Sequence, residues 1–406
     1  MNSDMRWRRK FLTIAVGQTV SLVGSSAVQF AMIWWMAKET ASPMMMSMAG
    51  LVAFLPQLIL GPFAGVWIDR MRRKYVVIAA DLFIGLVAAG FAVFFAAGSP
   101  PVWTVCLVLG IRAVGEVFHT PAIQALIPMM VPQEELMKAN GWSQFMQSGA
   151  FMLGPVLGAM MFGALSMPVI LMTDLAGALV ASITVAVVKI EEPEKNGTKY
   201  PDFVREFKEG VAVYRSRPRL MHLLINAGIC MIFFMPLTTL YPLMSSDYFQ
   251  VNALHAGIVE FFYAVGMMGS ALLAAQWGKK VERLRLSRMG LLGLGASTMV
   301  CGMLPVGYVW FWVFAMVCIV MGGCGNIYAL PLTTYMQEHI APEALGRAFS
   351  LMGSVMSLTM PLGLLISGPC AERFGVAFWF LFSGAAMLAA TVIMTLHSHF
   401  KDSVIE

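Results

Sequence analysis

Charged side chains are scarce in this sequence. Asp, Glu, Lys and Arg supply 12% of 406 residues, where soluble domains carry about a quarter. With 59% hydrophobic residues and a mean hydropathy of +0.75, this scarcity excludes a water-soluble enzyme. Catalytic signatures are missing as well. There is no G-x-x-x-x-G-K-[ST]; the nearest approach, Gly278-Lys279-Lys280, lacks the hydroxyl residue and the spacing, so ATP is not the expected energy source. Neither H-E-x-x-H nor a nucleophile elbow occurs. Cysteine is sparse: six, at positions 106, 230, 301, 318, 324 and 370, all in apolar runs and none in a C-x-x-C pair. They read as small buried hydrophobes, with no metal site or disulfide framework expected. The net charge of +5 speaks to loop placement and implies no nucleic-acid partner.

What is present is a series of long apolar runs. They lie at 11–35, 44–67, 75–98, 102–126, 142–164 and 167–189, then at 219–243, 253–277, 288–306, 309–331, 348–370 and 375–396. A bilayer crossing takes about 20 apolar residues as a helix. The runs lack the short period-2 alternation of a membrane barrel, so helices with internally satisfied backbones are expected. The first run follows Arg6, Arg8, Arg9 and Lys10, as a signal peptide would, but its length and the lack of an A-x-A site favour a retained helix.

The cations fix the orientation. With the N-terminus inside, 24 of the 27 Lys and Arg residues fall on the cytoplasmic side; Lys38 and Arg373 lie outside and Arg112 within a span. Both termini are then expected in the cytoplasm. The longest connection, 190–218, reads as a cytoplasmic linker with an amphipathic stretch lying on the membrane.

An internal repeat divides the chain. Gly115-x-Val117-Phe118-x-x-Pro121 and Pro132 in and after the fourth span are matched by Gly325-x-Ile327-Tyr328-x-x-Pro331 and Pro342, each pair 210 residues apart. The expected fold class is therefore all-α and membrane-embedded: twelve transmembrane helices in two pseudo-symmetric six-helix halves, 1–189 and 219–406. Such halves place a substrate site between them near the midplane.

The few polar residues inside spans are the candidates for chemistry. Arg112, Glu116 and His119 share an arc of about 60° on the fourth helix, and a charge in mid-membrane costs about 2.5–3.5 kcal/mol on the insertion scale. Two readings stand: an Arg112–Glu116 pair that neutralises itself, or proton exchange by Glu116 and His119 under the influence of Arg112. Asp81 in the third span is placed near enough to the cytoplasmic end to be partly hydrated, either as a proton site or paired with Arg70 or Arg73. Asp174 and Glu260 could each be a proton site or a counter-charge for a cationic substrate. Gln18, Ser21, Ser25 and Gln29 form a polar stripe on the first helix, and Ser350, Ser354 and Ser357 a second on the eleventh. Either stripe suits helix-to-helix hydrogen bonding or cavity lining. Asn326 in the tenth span is a further cavity candidate. Thirty-five Met and 27 Phe residues supply the adaptable surface of promiscuous pockets.

Two motifs carry a resemblance. Gly65-Val66-Trp67-Ile68-Asp69-Arg70-Met71-Arg72-Arg73-Lys74 ends an apolar run with an acid placed to cap or pair with a neighbouring helix end. Gly149-x-x-x-x-Gly154-Pro155-x-x-Gly158 thins and weakens one face of the fifth helix. The first is similar to the signature loop of the major facilitator superfamily, with Gly65, Asp69, Arg70, Arg73 and Lys74 matching and Arg72 in place of the usual second glycine. The second resembles that superfamily's antiporter motif, and Arg112 matches its fourth-helix arginine. Further segments in both halves, among them Phe118-His119-Thr120-Pro121-Ala122 and Leu345-Gly346-Arg347-x-Phe349-Ser350, resemble bacterial macrolide efflux proteins. The resemblance implies a major facilitator fold and a monomeric antiporter that exports small amphipathic drugs, macrolides foremost, through the lipid bilayer. It implies a role for Arg112 in proton coupling and a gating role for the 65–74 loop, with the proton gradient as the sole cofactor. Export of an endogenous metabolite such as a siderophore is the alternative, and a non-transporting sensor or scaffold a third reading.

Overall fold

The structure is a computed structural model that describes residues 3–98, 100–132, 135–190, 211–277, 282–340 and 342–405. Among these residues there are helices and connections but no strand. The first six long helices are α1 (Ser3–Thr40), α2 (Pro43–Arg70), α3 (Arg73–Ala97), α4 (Trp103–Leu126), α5 (Leu136–Ala164) and α6 (Met167–Val187). After the connection come α7 (Pro218–Phe234), α8 (Ala253–Trp277), α9 (Arg283–Met303), α10 (Tyr308–His339), α11 (Pro342–Phe374) and α12 (Val376–Ile405). A short helix, Leu237–Leu243, and a π-helical turn, Met244–Tyr248, prolong α7.

Ten of the described helical stretches are long and apolar enough to cross a bilayer. The other two are α8, with 25 residues, and α9, with 21. At 1.5 Å per residue both reach across a hydrocarbon core of about 30 Å. The twelve expected spans are thus twelve helices, and residues 191–210 of the expected linker lie outside the described residues. Large apolar side chains such as Leu86, Val93, Phe94 and Val309 stand exposed, as suits lipid-facing surface.

The chain forms two compact units, Met1–Thr40 with Val52–Tyr200, and Ala41–Leu51 with Pro201–Glu406. In the first, α3 packs on α4 and α6, and α1 on α5 and α6; in the second, α9 packs on α10 and α12, and α7 on α11 and α12. The helix pairing of the first unit is repeated in the second, as the 210-residue register requires.

Glycines permit the close crossings. A Cβ on Gly154 would strike Ser26, and one on Gly158 the backbone of Ala27, so α5 lies against α1 with no side chain between. A Cβ on Gly149 would meet open space. In the second unit Gly302 of α9 and Gly384 of α12 face each other's helices in the same way. Gly375 alone separates α11 from α12, and its φ of 91° is one that a side chain would strain.

Charged groups close helix ends. Lys74 Nζ donates to the carbonyls of Ala186 and Val188 at 2.8 Å each, satisfying acceptors that the end of α6 leaves open. Arg73 Nη1 donates to Ala125 O near the end of α4 at 3.4 Å. In the second unit Glu372 Oε2 accepts from Ser42 Oγ and from the Met44 N–H, a carboxylate placed at the N-terminus of α2.

Candidate functional site

The polar residues of the first unit converge on α4, but each turns to a different neighbour. Arg112 is 2% exposed and Asp174, on α6, is 1% exposed. Arg112 Nη1 donates to Asp174 Oδ2, and Ser25 of α1 donates to the other oxygen. Arg112 therefore pairs with Asp174, which goes against the reading in which Arg112 and Glu116 neutralise each other. The helical wheel put Arg112 and Glu116 on one face of one helix; the long guanidinium instead reaches a buried carboxylate across the α4–α6 interface. Arg112 Nη2 has no partner among the described residues.

One turn beyond Glu116, His119 meets Asp81 of α3. His119 Nε2 lies 3.2 Å from Asp81 Oδ1 and 3.0 Å from Gln18 Oε1, while Gln18 Nε2 donates to Asp81 Oδ2 at 2.8 Å. Both neighbours of Nε2 are acceptor oxygens, so the ring carries its hydrogen there and shares it between them. Asp81 is 4% exposed, which corrects the expectation of a partly hydrated carboxyl: α1 and α4 close over it. The polar stripe of α1 thus serves helix-to-helix bonding at Gln18 and Ser25. Ser21 is buried against Gly177 of α6, and Gln29 is exposed.

Glu116 stands apart from both pairs. It is exposed in a cleft of about 470 Å³ that is also lined by Gln57, Gly61, Val117, Thr120, Pro121 and Gln124. Arg112, His119 and Asp174 are the charged groups that act on it from within the helix bundle. Gln57, Thr120 and Gln124 carry no charge and so do not stand out in the sequence. The signal for two of them was their spacing, since Glu116, Thr120 and Gln124 recur every fourth residue along one helix face. On the same stretch Phe118 stacks on Trp67, with ring centroids 5.8 Å apart. This ties the α2 end that carries the loop motif to the helix that carries Glu116. Of that motif, Gly65, Asp69 and Arg70 fall in α2 with side chains outside the described residues. Arg73 and Lys74 close the ends of α4 and α6 as above. Of the fifth-helix motif, Gly154 and Gly158 make the α1 contact, Pro155 is buried beside them, and Gly149 takes no part in it.

The second unit holds a smaller polar cluster. Glu260 of α8 is half-buried and accepts a hydrogen bond from the Tyr241 hydroxyl. Asn326 donates to Met267 O at 2.8 Å, joining α10 to α8, and Ser354 is half-buried on α11. Four of the six cysteines are buried. Among the described residues no group of three or more His, Cys, Asp or Glu side chains could hold a metal ion.

Comparison with known proteins agrees with this architecture. Residues 14–364 match the family model of the Major Facilitator Superfamily. The chain is 39% identical over 394 residues to macrolide efflux protein A of Streptococcus pyogenes, covering 97% of each. It is 38% identical over 324 residues to macrolide efflux protein A of Enterococcus faecalis, covering 80% of this chain and 99% of that one. Among solved structures, the nucleoside transporter NupG superposes with a TM-score of 0.71 at 11% identity, covering 98% of this chain and 99% of that one. That likeness concerns the fold.

Proposed function

The chain belongs to the Major Facilitator Superfamily, a multi-pass membrane transporter and not an enzyme, and from that premise we propose that it exports macrolide-like amphipathic drugs in exchange for protons. The 39% identity to a macrolide efflux protein over 97% of both chains supports the substrate class. The separation of roles along α4 carries the coupling reading. Arg112 and Asp174 neutralise each other, Asp81 is held by His119 and Gln18, and Glu116 is the carboxylate that faces a cleft. Of the three acids around α4, Glu116 is the one whose carboxyl lines an open cleft in this state, which favours it as the coupling residue, with the buried Asp81 and Asp174 as second candidates.

The cycle is alternating access by a monomer in the bacterial inner membrane, with both termini in the cytoplasm and the proton gradient as the only energy source. A proton bound on Glu116 from outside is released inside, and the drug leaves in the opposite direction. In inverted vesicles with an acidic interior, adding erythromycin should release protons, and Glu116→Gln should abolish that release. Undiminished release from the variant would overturn the assignment.

A further inference from the structure

Polar side chains inside a membrane-spanning helix are costly unless they find partners in protein, water or ligand. Most of those in the first unit have found protein partners: Gln18, Ser25, Asp81, Arg112, His119 and Asp174 are bonded to one another. Gln57, Thr120 and Gln124 have not. All three are exposed, all line the cleft that holds Glu116, and none has a side-chain hydrogen-bond partner among the described residues. Thr120 and Gln124 follow Glu116 at steps of about 6 Å along α4, and Gln57 stands on α2. Gly61, one turn from Gln57, keeps this amide free: a Cβ there would come within 3.3 Å of its nitrogen.

We propose that Gln57, Thr120 and Gln124 form a substrate-binding wall that receives the hydroxyl and ether oxygens of a sugar-bearing amphipathic drug, with Glu116 at its head to face an amine. Two primary amides and a hydroxyl each donate and accept hydrogen bonds. That inventory matches hydroxyls beside ether oxygens. It does not match phosphate or carboxylate groups, which call for Arg or Lys, and Glu116 repels them. Val117 and Pro121 give the cleft its apolar surface, as expected of a site that holds an amphipathic molecule by few polar anchors. The wall rests on the exporter reading and adds to it the part of the drug that is recognised.

Equilibrium binding to the purified full-length protein tests this without any need for a proton gradient. Radiolabelled erythromycin is the oxygen-rich probe and tetraphenylphosphonium, a cation with no hydrogen-bonding group, the control. Gln57→Leu, Thr120→Val and Gln124→Leu should each raise the erythromycin Kd about 3- to 10-fold, the worth of one neutral hydrogen bond. Tetraphenylphosphonium binding and melting temperature should stay as in the wild type, and Thr120→Ser, which keeps the hydroxyl, should bind erythromycin as the wild type does. Unchanged erythromycin affinity in all three variants would overturn the wall and leave the exporter reading standing. Equal weakening of both probes, or of Thr120→Ser and Thr120→Val alike, would assign the residues to packing and also overturn it. A wild type that binds no erythromycin would overturn the macrolide reading first, and the wall with it.

Discussion

Removing the Asp174 carboxylate would leave Arg112, 2% exposed, without the carboxylate it is bonded to in a medium that cannot hydrate it. Breaking one side of a buried ion pair costs about 3–5 kcal/mol, whereas replacing both sides with apolar residues is often neutral. Asp174→Asn should therefore lower the melting temperature in detergent, and the double variant Arg112→Met/Asp174→Leu should regain most of the loss. Equal instability of single and double variants would show that pairing is not what the site supplies. The identity of these residues was legible because an ionisable group within an apolar run is conspicuous and costly. Their partners were not. A helical wheel relates Arg112 to Glu116 on its own helix, but Asp174, the partner of Arg112, and Asp81, the partner of His119, come from helices 62 and 38 residues away in sequence, and only packing decides which carboxyl each side chain meets. Gln57, Thr120 and Gln124 escaped notice for the opposite reason, since an uncharged polar residue does not interrupt an apolar run.

Helix-to-helix contacts separate glycines that the sequence presents as one motif. Gly149, Gly154 and Gly158 all lie in α5, yet only the last two touch α1. Gly158→Ala should force the helices apart and lower both thermal stability and transport, while Gly149→Ala should be tolerated and add up to about 1 kcal/mol from helix propensity. Paired melting curves of the two variants check the contrast; equal damage from both would contradict the packing. At the other end of the chain's charge inventory, Arg283 at the start of α9 donates two hydrogen bonds, at 2.8 and 3.3 Å, to Glu338 at the end of α10. These bonds hold the Glu338 carboxyl below the usual glutamate range. A carboxylate lowered in the folded state stabilises it above its unfolded value and loses that contribution as pH falls through the folded one. Acid should therefore loosen the α9–α10 junction. In Arg283→Gln the Glu338 titration, followed by carboxyl carbon NMR, should move up towards the ordinary glutamate value; an unmoved midpoint would remove the pair from the account.

At the scale of the whole molecule, the length and spacing of the apolar runs foretold the helices, because a bilayer fixes how long a spanning helix must be. The number of helices follows from that, and the repeated pairing in each unit follows from the 210-residue internal repeat. What each unit does with its loop is less legible. Asp69→Asn should slow transport while leaving erythromycin affinity nearly intact, as a gating role demands; loss of binding in the same variant would argue against it. The exchange of protons for drug also bears on the membrane potential. The protein returns to its starting state after each cycle, whatever pairs such as Arg112–Asp174 do within it, so under the proposed exchange the net charge moved per cycle would be that of the proton and the drug alone. Exchange of one proton for an uncharged drug would move one net charge inward, and about 2.3 kcal/mol per 100 mV would add to the driving force. Exchange for a monocation would move none, so two drugs of similar shape and different charge would be expelled with different sensitivity to voltage by the same carrier.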